Sequence, residues 1–137
     1  MSRTVTILSK FTIPVCIAVM WLIGCREAEQ IRGFYAGGWE WSEFQPCQNL
    51  EEQWWVTGDS VFFSKYDSLT TAEGHERAFG PTVYIEGAGT VSRPGEYGHV
   101  GAYSRELEIS RVTIMKYLGE LNRGDRQKME QHCADLR

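Results

Sequence analysis

The sequence predicts a mainly β fold: a small, strongly curved barrel of four to six strands, with one short internal helix and a C-terminal helical tail. Three observations carry this. Runs rich in Trp, Tyr, Val and Ile alternate at period two. Glycines fall inside those runs, at Gly37-Gly38, Gly87 and Gly89, where a strand bends or another backbone comes close. Helical composition is confined to one segment in the middle and one at the end.

The elements follow in order. Residues 26–32 read as a polar spacer. Gly33 to Phe44 reads as a strand with Trp39 and Trp41 on one face and Glu40 and Ser42 on the other. Gly37-Gly38 predicts a bulge or bend inside it. Pro46-Cys47-Gln48-Asn49 breaks the run. Gln53 to Thr57 is rich in strand formers and closes at Gly58-Asp59. Beyond it, Asp59 or Ser60 caps a short helix carrying Val61, Phe62, Phe63, Tyr66 and Leu69 at helical spacing. A strand over Ser60 to Lys65 is the competing reading. Glu73 to Pro81 reads as loop.

Thr82 to Ser92 is the clearest strand, with Val83, Ile85 and Val91 on one face and Gly87 and Gly89 in the same row. Arg93-Pro94-Gly95 opens a loop that runs to Gly101. Glu106 to Met115 is the last strand. Leu107 and Ile109 point one way, Val112 and Ile114 the other, so a bulge lies near Ser110-Arg111 or both faces are covered. Residues 125–131 favour a helix, with Asp125 as its cap. Four or five bent strands interrupted by one helix make the OB-fold the natural candidate. A half-barrel of another topology is the alternative. The expected division is a signal over 1–24, a tether over 25–32, the barrel over 33–115 and the tail over 116–137.

The first segment reads as an address. Arg3 and Lys10 precede an apolar run from Phe11 that ends in Leu22-Ile23-Gly24-Cys25. The run is short of the roughly 20 apolar residues a spanning helix needs, and Pro14 would disturb one. This is the layout of a secretory signal, with an uncleaved anchor as the alternative. Leu-Ile-Gly-Cys resembles the lipobox of bacterial lipoproteins. The resemblance implies cleavage before Cys25, acylation of its thiol with diacylglycerol, an N-terminal palmitate, and a protein held to a membrane of the cell envelope by its lipids. Each buried CH₂ contributes ~0.8 kcal/mol, so two or three chains hold firmly. Arg26 follows the Cys where an Asp often signals inner-membrane retention in these lipoproteins, which implies the outer membrane.

The whole chain carries a net charge of −4, and residues 25–137 keep 12 of the 14 basic and all 18 acidic residues. That balance argues against nucleic-acid binding, which needs a basic footprint, and against polybasic attachment to anionic lipid. Given the lipobox, Cys16 leaves with the signal and Cys25 carries lipid, so Cys47 and Cys133 remain. In an exported protein they are expected to pair, closing a loop that the chain-entropy model values at ~4–5 kcal/mol. A reactive or metal-binding thiol pair would want Cys-x-x-Cys spacing, which is not seen.

The sequence offers no catalytic set, no cofactor motif and no metal motif. His75, His99 and His132 match no ligand spacing. Met115 and Met129 make no copper cluster. His99 as a general base would work with Tyr97, Tyr103 or Glu106. Ser104 lies close, but no Gly-x-Ser-x-Gly elbow exists. Arg105, Glu106 and Arg111 are expected to pair with Glu40, Glu43 or Glu108 across strands, or to bind an anion. Trp39, Trp41, Trp54 and Trp55 either fill a small core or form an aromatic platform for a sugar or peptide. Trp54 and Trp55 are adjacent and so point to opposite faces.

The segments Gly95 to Leu107, Trp39 to Cys47 and Trp54 to Gly58 resemble small exported bacterial proteins of no known activity. A weaker likeness is to envelope lipoproteins of the copper-homeostasis and adhesion-sensing type. The chain lacks the Cys-x-x-Cys of their N-terminal domain, so that function is not carried over. The reading is a non-enzymatic, lipid-anchored binding or structural module. Its partner would be an envelope protein, a glycan such as peptidoglycan or a small ligand, and the candidate contacts are Trp39, Trp41, Trp54, Trp55, Tyr97, His99, Tyr103 and Arg105. The alternative is a hydrolase or transferase working through His99.

Overall fold

Tyr35 stands at the centre of a closed barrel. A computed structural model describes residues 27–74, 81–119, 121 and 125–135. The elements are β1 (Glu29–Gly37), β2 (Ser42–Pro46), β3 (Trp54–Gly58), α1 (Ser60–Ala72), β4 (Val83–Val91), β5 (Arg105–Tyr117) and α2 (Arg126–Asp135), with a 3-10 turn at His99–Gly101. The strands pair in the closed order β1-β2-β3-β5-β4, and β4 returns to β1. β3 and β5 run parallel; the other pairs are antiparallel. That order, with a helix between β3 and β4, is the arrangement of the OB-fold. The mainly β barrel with one internal and one C-terminal helix is therefore as the sequence predicts.

Several boundaries differ. β1 begins at Glu29, so residues 29–32 of the expected tether are strand. The single strand expected over Gly33 to Phe44 is two strands. The chain reverses at 38–41, where the Gly38 N–H donates to the Trp41 carbonyl at 2.9 Å and Gly37 pairs with Ser42. The Gly37-Gly38 bend is a full hairpin turn, and the alternation of Trp39 and Trp41 belongs to a loop. Ser60 to Lys65 is helix. Asp59 Oδ1 accepts the Phe62 N–H at 2.9 Å, a cap that stabilises by about 1 kcal/mol. Phe62, Tyr66 and Thr70 form its buried stripe, while Val61 points into solvent.

The inner core gathers Ile31, Tyr35, Phe44, Val56, Phe62, Tyr66, Val83, Ile85, Leu107 and Ile109. The Tyr35 ring meets Phe62 and Tyr66 edge-on, with centroids 4.9 and 4.8 Å away. Its hydroxyl lies 3.3 Å from Ser42 Oγ. The Tyr66 hydroxyl donates to the Pro81 carbonyl at 2.9 Å and accepts the Gly37 N–H at 3.3 Å. So α1 plugs the barrel and holds the base of the β1–β2 turn.

Near Ser110 the strand is both bulged and covered on both faces, but Val112 packs inward with Leu107 and Ile109, where the sequence put it with Ile114 on the other face. β5 slips register against β4 between Glu86 and Gly87 and again between Ala88 and Gly89. Ser110 and Thr113 are the extra residues, and their hydroxyls donate to the carbonyls of Ala88 and Glu86 at 3.1 Å. Beyond the bulges Ile114 faces outward. There Phe34, Leu50, Tyr84, Leu121, Met129 and Cys133 form a second core. α2 therefore packs on the barrel. His132 lies against the Tyr84 ring at 4.5 Å and the Phe34 ring at 6.0 Å, its Nε2 buried without a partner among the described residues. The Cys47–Cys133 disulfide joins the end of β2 to α2 across 86 residues of sequence, with Cα atoms 5.6 Å apart.

Buried phenols make the fold sensitive to alkali. Burial raises Tyr35, Tyr66 and Tyr84 above the usual phenol range, Tyr66 to about 12. The Glu86 carboxylate, accepting the Tyr84 hydroxyl at 2.6 Å, adds to the effect at Tyr84. The folded pKa lies above the unfolded value, so the unfolded chain loses these protons first. Their contribution is whole below pH ~10 and falls as pH rises through the Tyr66 range. A spectrophotometric phenolate titration should show these three tyrosines ionising late and together with unfolding. Smooth ionisation of all tyrosines near pH ~10 in the folded protein would contradict it.

Candidate functional site

One groove brings together Trp39, Trp41 and Trp55. The β1–β2 turn gives it Trp39, Glu40 and Trp41. The outer face of β3 gives Trp55, the segment between β4 and β5 gives His99, and α1 gives Phe63. Its volume is about 600 Å³. A second hollow of about 310 Å³ adjoins it between the turn and α1, with Trp39, Trp41 and Phe63 shared and Tyr66 and Asp67 as its far wall. Trp39 is 81% exposed. The turn is held from below by the Gly38–Trp41 and Gly37–Tyr66 hydrogen bonds, so an exposed indole stands on an ordered support.

The segment between β4 and β5 is itself a hairpin. Tyr97 and Tyr103 exchange backbone hydrogen bonds at 2.9 and 3.2 Å, and the Gly95 N–H reaches the Ser104 carbonyl at 2.9 Å. The Tyr103 ring sits 5.4 Å from Trp55. Gly98 lies directly against both rings. Its φ is +68°, and a Cβ there would come within 2.6 Å of Trp55 and 2.8 Å of Tyr103. Only glycine meets both conditions without strain. Gly98→Ala is expected to cost about 1–2 kcal/mol and to lift the hairpin off Trp55, read as a red shift of tryptophan emission. An unshifted spectrum would refute the docking. At the tip, Val100 holds φ +55° and is 88% exposed.

The sequence-derived candidates thus divide. Trp39, Trp41, Trp55 and His99 share the groove, with Tyr103 supporting Trp55. Trp54 turns inward against the core, 5.7 Å from the Phe44 ring, and its Nε1–H donates to Glu52 Oε2 at 2.7 Å. The Tyr97 hydroxyl donates to the Arg93 carbonyl at 3.0 Å, within the hairpin. Arg105 takes Glu52 at 3.9 Å, where the sequence suggested Glu40, Glu43 or Glu108, and donates to the Ser92 carbonyl at 2.8 Å. Glu52 wins because β3 and β5 run parallel and set Arg105 opposite Trp54, two residues from Glu52. Phe63, Glu40 and Asp67 were not singled out from the sequence as parts of a site. The docking of α1 beside the turn brings Phe63 and Asp67 there, whereas Glu40 belongs to the turn itself. Cys25 and His75 lie outside the described residues. Among the described residues no three metal-binding side chains converge, and no helix is long and apolar enough to cross a membrane.

Fold and groove together define a small OB-type barrel with an aromatic cleft on the β2–β3 face, between the β1–β2 and β4–β5 loops. That is the face on which barrels of this arrangement hold extended ligands. Comparisons of the chain with protein-family models, with curated proteins and with solved structures give no match.

Proposed function

We propose that the chain is a lipid-anchored envelope protein whose barrel binds a ligand, without transforming it, in the groove of Trp39, Trp41 and Trp55. The observation that carries this is Trp39, an indole 81% exposed on a turn held by backbone hydrogen bonds. A large apolar ring left in water beside a concave surface marks an interaction site. Stacking on such rings suits an extended ligand with flat apolar faces, and the acidic balance of the chain disfavours nucleic acid. The lipobox likeness at Leu22-Ile23-Gly24-Cys25 supports the membrane attachment.

Two experiments test the two halves. Labelling with a radioactive fatty acid should mark the native chain and fail to mark Cys25→Ser; label on the variant would sink the anchor. Photo-reactive side chains placed at Trp39 and Val100 should yield adducts in intact envelopes, whereas the same group at Lys128 on the far helix should not. Adducts at all three positions, or at none, would overturn the groove.

A further inference from the structure

Resting on that reading of the groove, we infer that its ligand is a basic, extended peptide segment that lies along β3 as an added strand. The first support is the seam between β2 and β3. Their ladder has two partner pairs, Glu43 with Trp55 and Phe44 with Trp54. β3 continues through Val56, Thr57 and Gly58, and these three pair with β5 alone. On their other side the chain of the β1–β2 turn closes on itself through the Gly38–Trp41 bond. The groove lies in this opening, lined by Trp41 and Ser42 on one side and Val56, Thr57 and Gly58 on the other. A strand edge facing a cleft is a template for a guest strand, whose main chain supplies affinity and whose alternate side chains supply specificity.

The second support is charge. Glu40 stands exposed on the rim of the groove. Among the described residues the groove is lined by no lysine or arginine. The chain as a whole is acidic. An indole face beside a carboxylate attracts ammonium and guanidinium groups through the ring quadrupole and the charge together. A guest strand sends alternate side chains to one face. With a basic residue at every second position it would set one cation over Trp39 beside Glu40 and the next towards Trp55.

The test uses the full lipidated chain in a non-ionic detergent and follows tryptophan emission. The probes are a short peptide alternating lysine and valine, the same peptide with glutamate for lysine, and a peptidoglycan glycan strand. The basic peptide should bind, and the acidic one should not. Trp39→Ala should weaken binding about five- to tenfold, and Glu40→Gln about threefold with a reduced salt dependence. Both residues are exposed, so these variants fold. N-methylation of one alternate set of peptide amides should abolish binding, and methylation of the other set should not. Equal binding of the acidic peptide, or indifference to both methylation patterns, would overturn the inference. So would self-association of the chain through this face. Binding of the glycan strand alone would overturn it while leaving the groove reading intact. Silence from every probe, with no photo-adducts at Trp39 or Val100, would remove both.

Discussion

Replacing both Cys47 and Cys133 by serine is expected to lower the stability of the folded chain by about 2–4 kcal/mol and its melting temperature by on the order of 10 °C or more. The bridge spans 86 residues, so its loss frees most of the barrel's length in the unfolded state. Its loss also acts on one particular surface. Without it α2 is held by Met129 in the outer core, by the His132 ring contacts and by Arg126 reaching Glu51 at 3.1 Å. The last of these is exposed and contributes little. If α2 lifts, Phe34 and Tyr84 lose their cover on the outside of β1 and β4. The expected signature is a lower midpoint with dye binding to newly exposed apolar surface, while far-UV strand signal persists. A reductant added to the native chain should reproduce it. A variant within about 0.5 kcal/mol of the native chain would show that the outer core holds α2 unaided.

The barrel was legible because its signals are local and agree. β4 alternates over nine residues with its glycines in register, β3 is a run of strand formers, and Asp59 sits where a helix cap must sit. The hairpin between β1 and β2 was not, because the period-two spacing of Trp39 and Trp41 imitates a strand through the turn. Nothing local says that Gly37-Gly38 reverses the chain; the Tyr66 hydroxyl, 29 residues later, holds it there. The site was half legible. Adjacency alone says that Trp54 and Trp55 point apart, but which one faces the core depends on the pairing of β3 with β5. The same pairing delivers Arg105 to Glu52. Phe63 and Asp67 enter the groove only because α1 docks beside the turn, an arrangement that no sequence interval encodes. The outer core is the other gap. Phe34, Tyr84 and Ile114 alternate against the inner row, so a sequence read for one buried face assigns them to solvent. Their cover comes from α2, which lies far from Phe34 and Tyr84 in the sequence.

Gly87→Ala should be among the most costly single-methyl additions in the barrel, at about 2–3 kcal/mol, with Gly87→Val beyond it. Gly87 lies in the inward row of β4 with Val83, Ile85, Gly89 and Val91. It pairs with Val112 just past the register slip at Thr113. There the β5 backbone crowds across the seam. A Cβ on Gly87 would run into the Arg111 carbonyl and lie 3.1 Å from the Val112 Cα. Both obstacles are main chain, so no side chain can rotate away, and relief requires the β4–β5 ladder to part. β5 is also the sole ladder partner of Val56, Thr57 and Gly58 in β3. A seam opened at Gly87 should therefore loosen the β3 edge as well. Urea unfolding would show the lost stability, and amide hydrogen exchange would show faster opening in β5 and β3 than in α2. Gly74→Ala, where a Cβ meets nothing within 4 Å, is the control for a glycine at a turn and should not change exchange in β5. If Gly87→Ala unfolds within about 0.5 kcal/mol of the native chain, the close approach at the bulge is absent and the curvature of β4 and β5 needs another source.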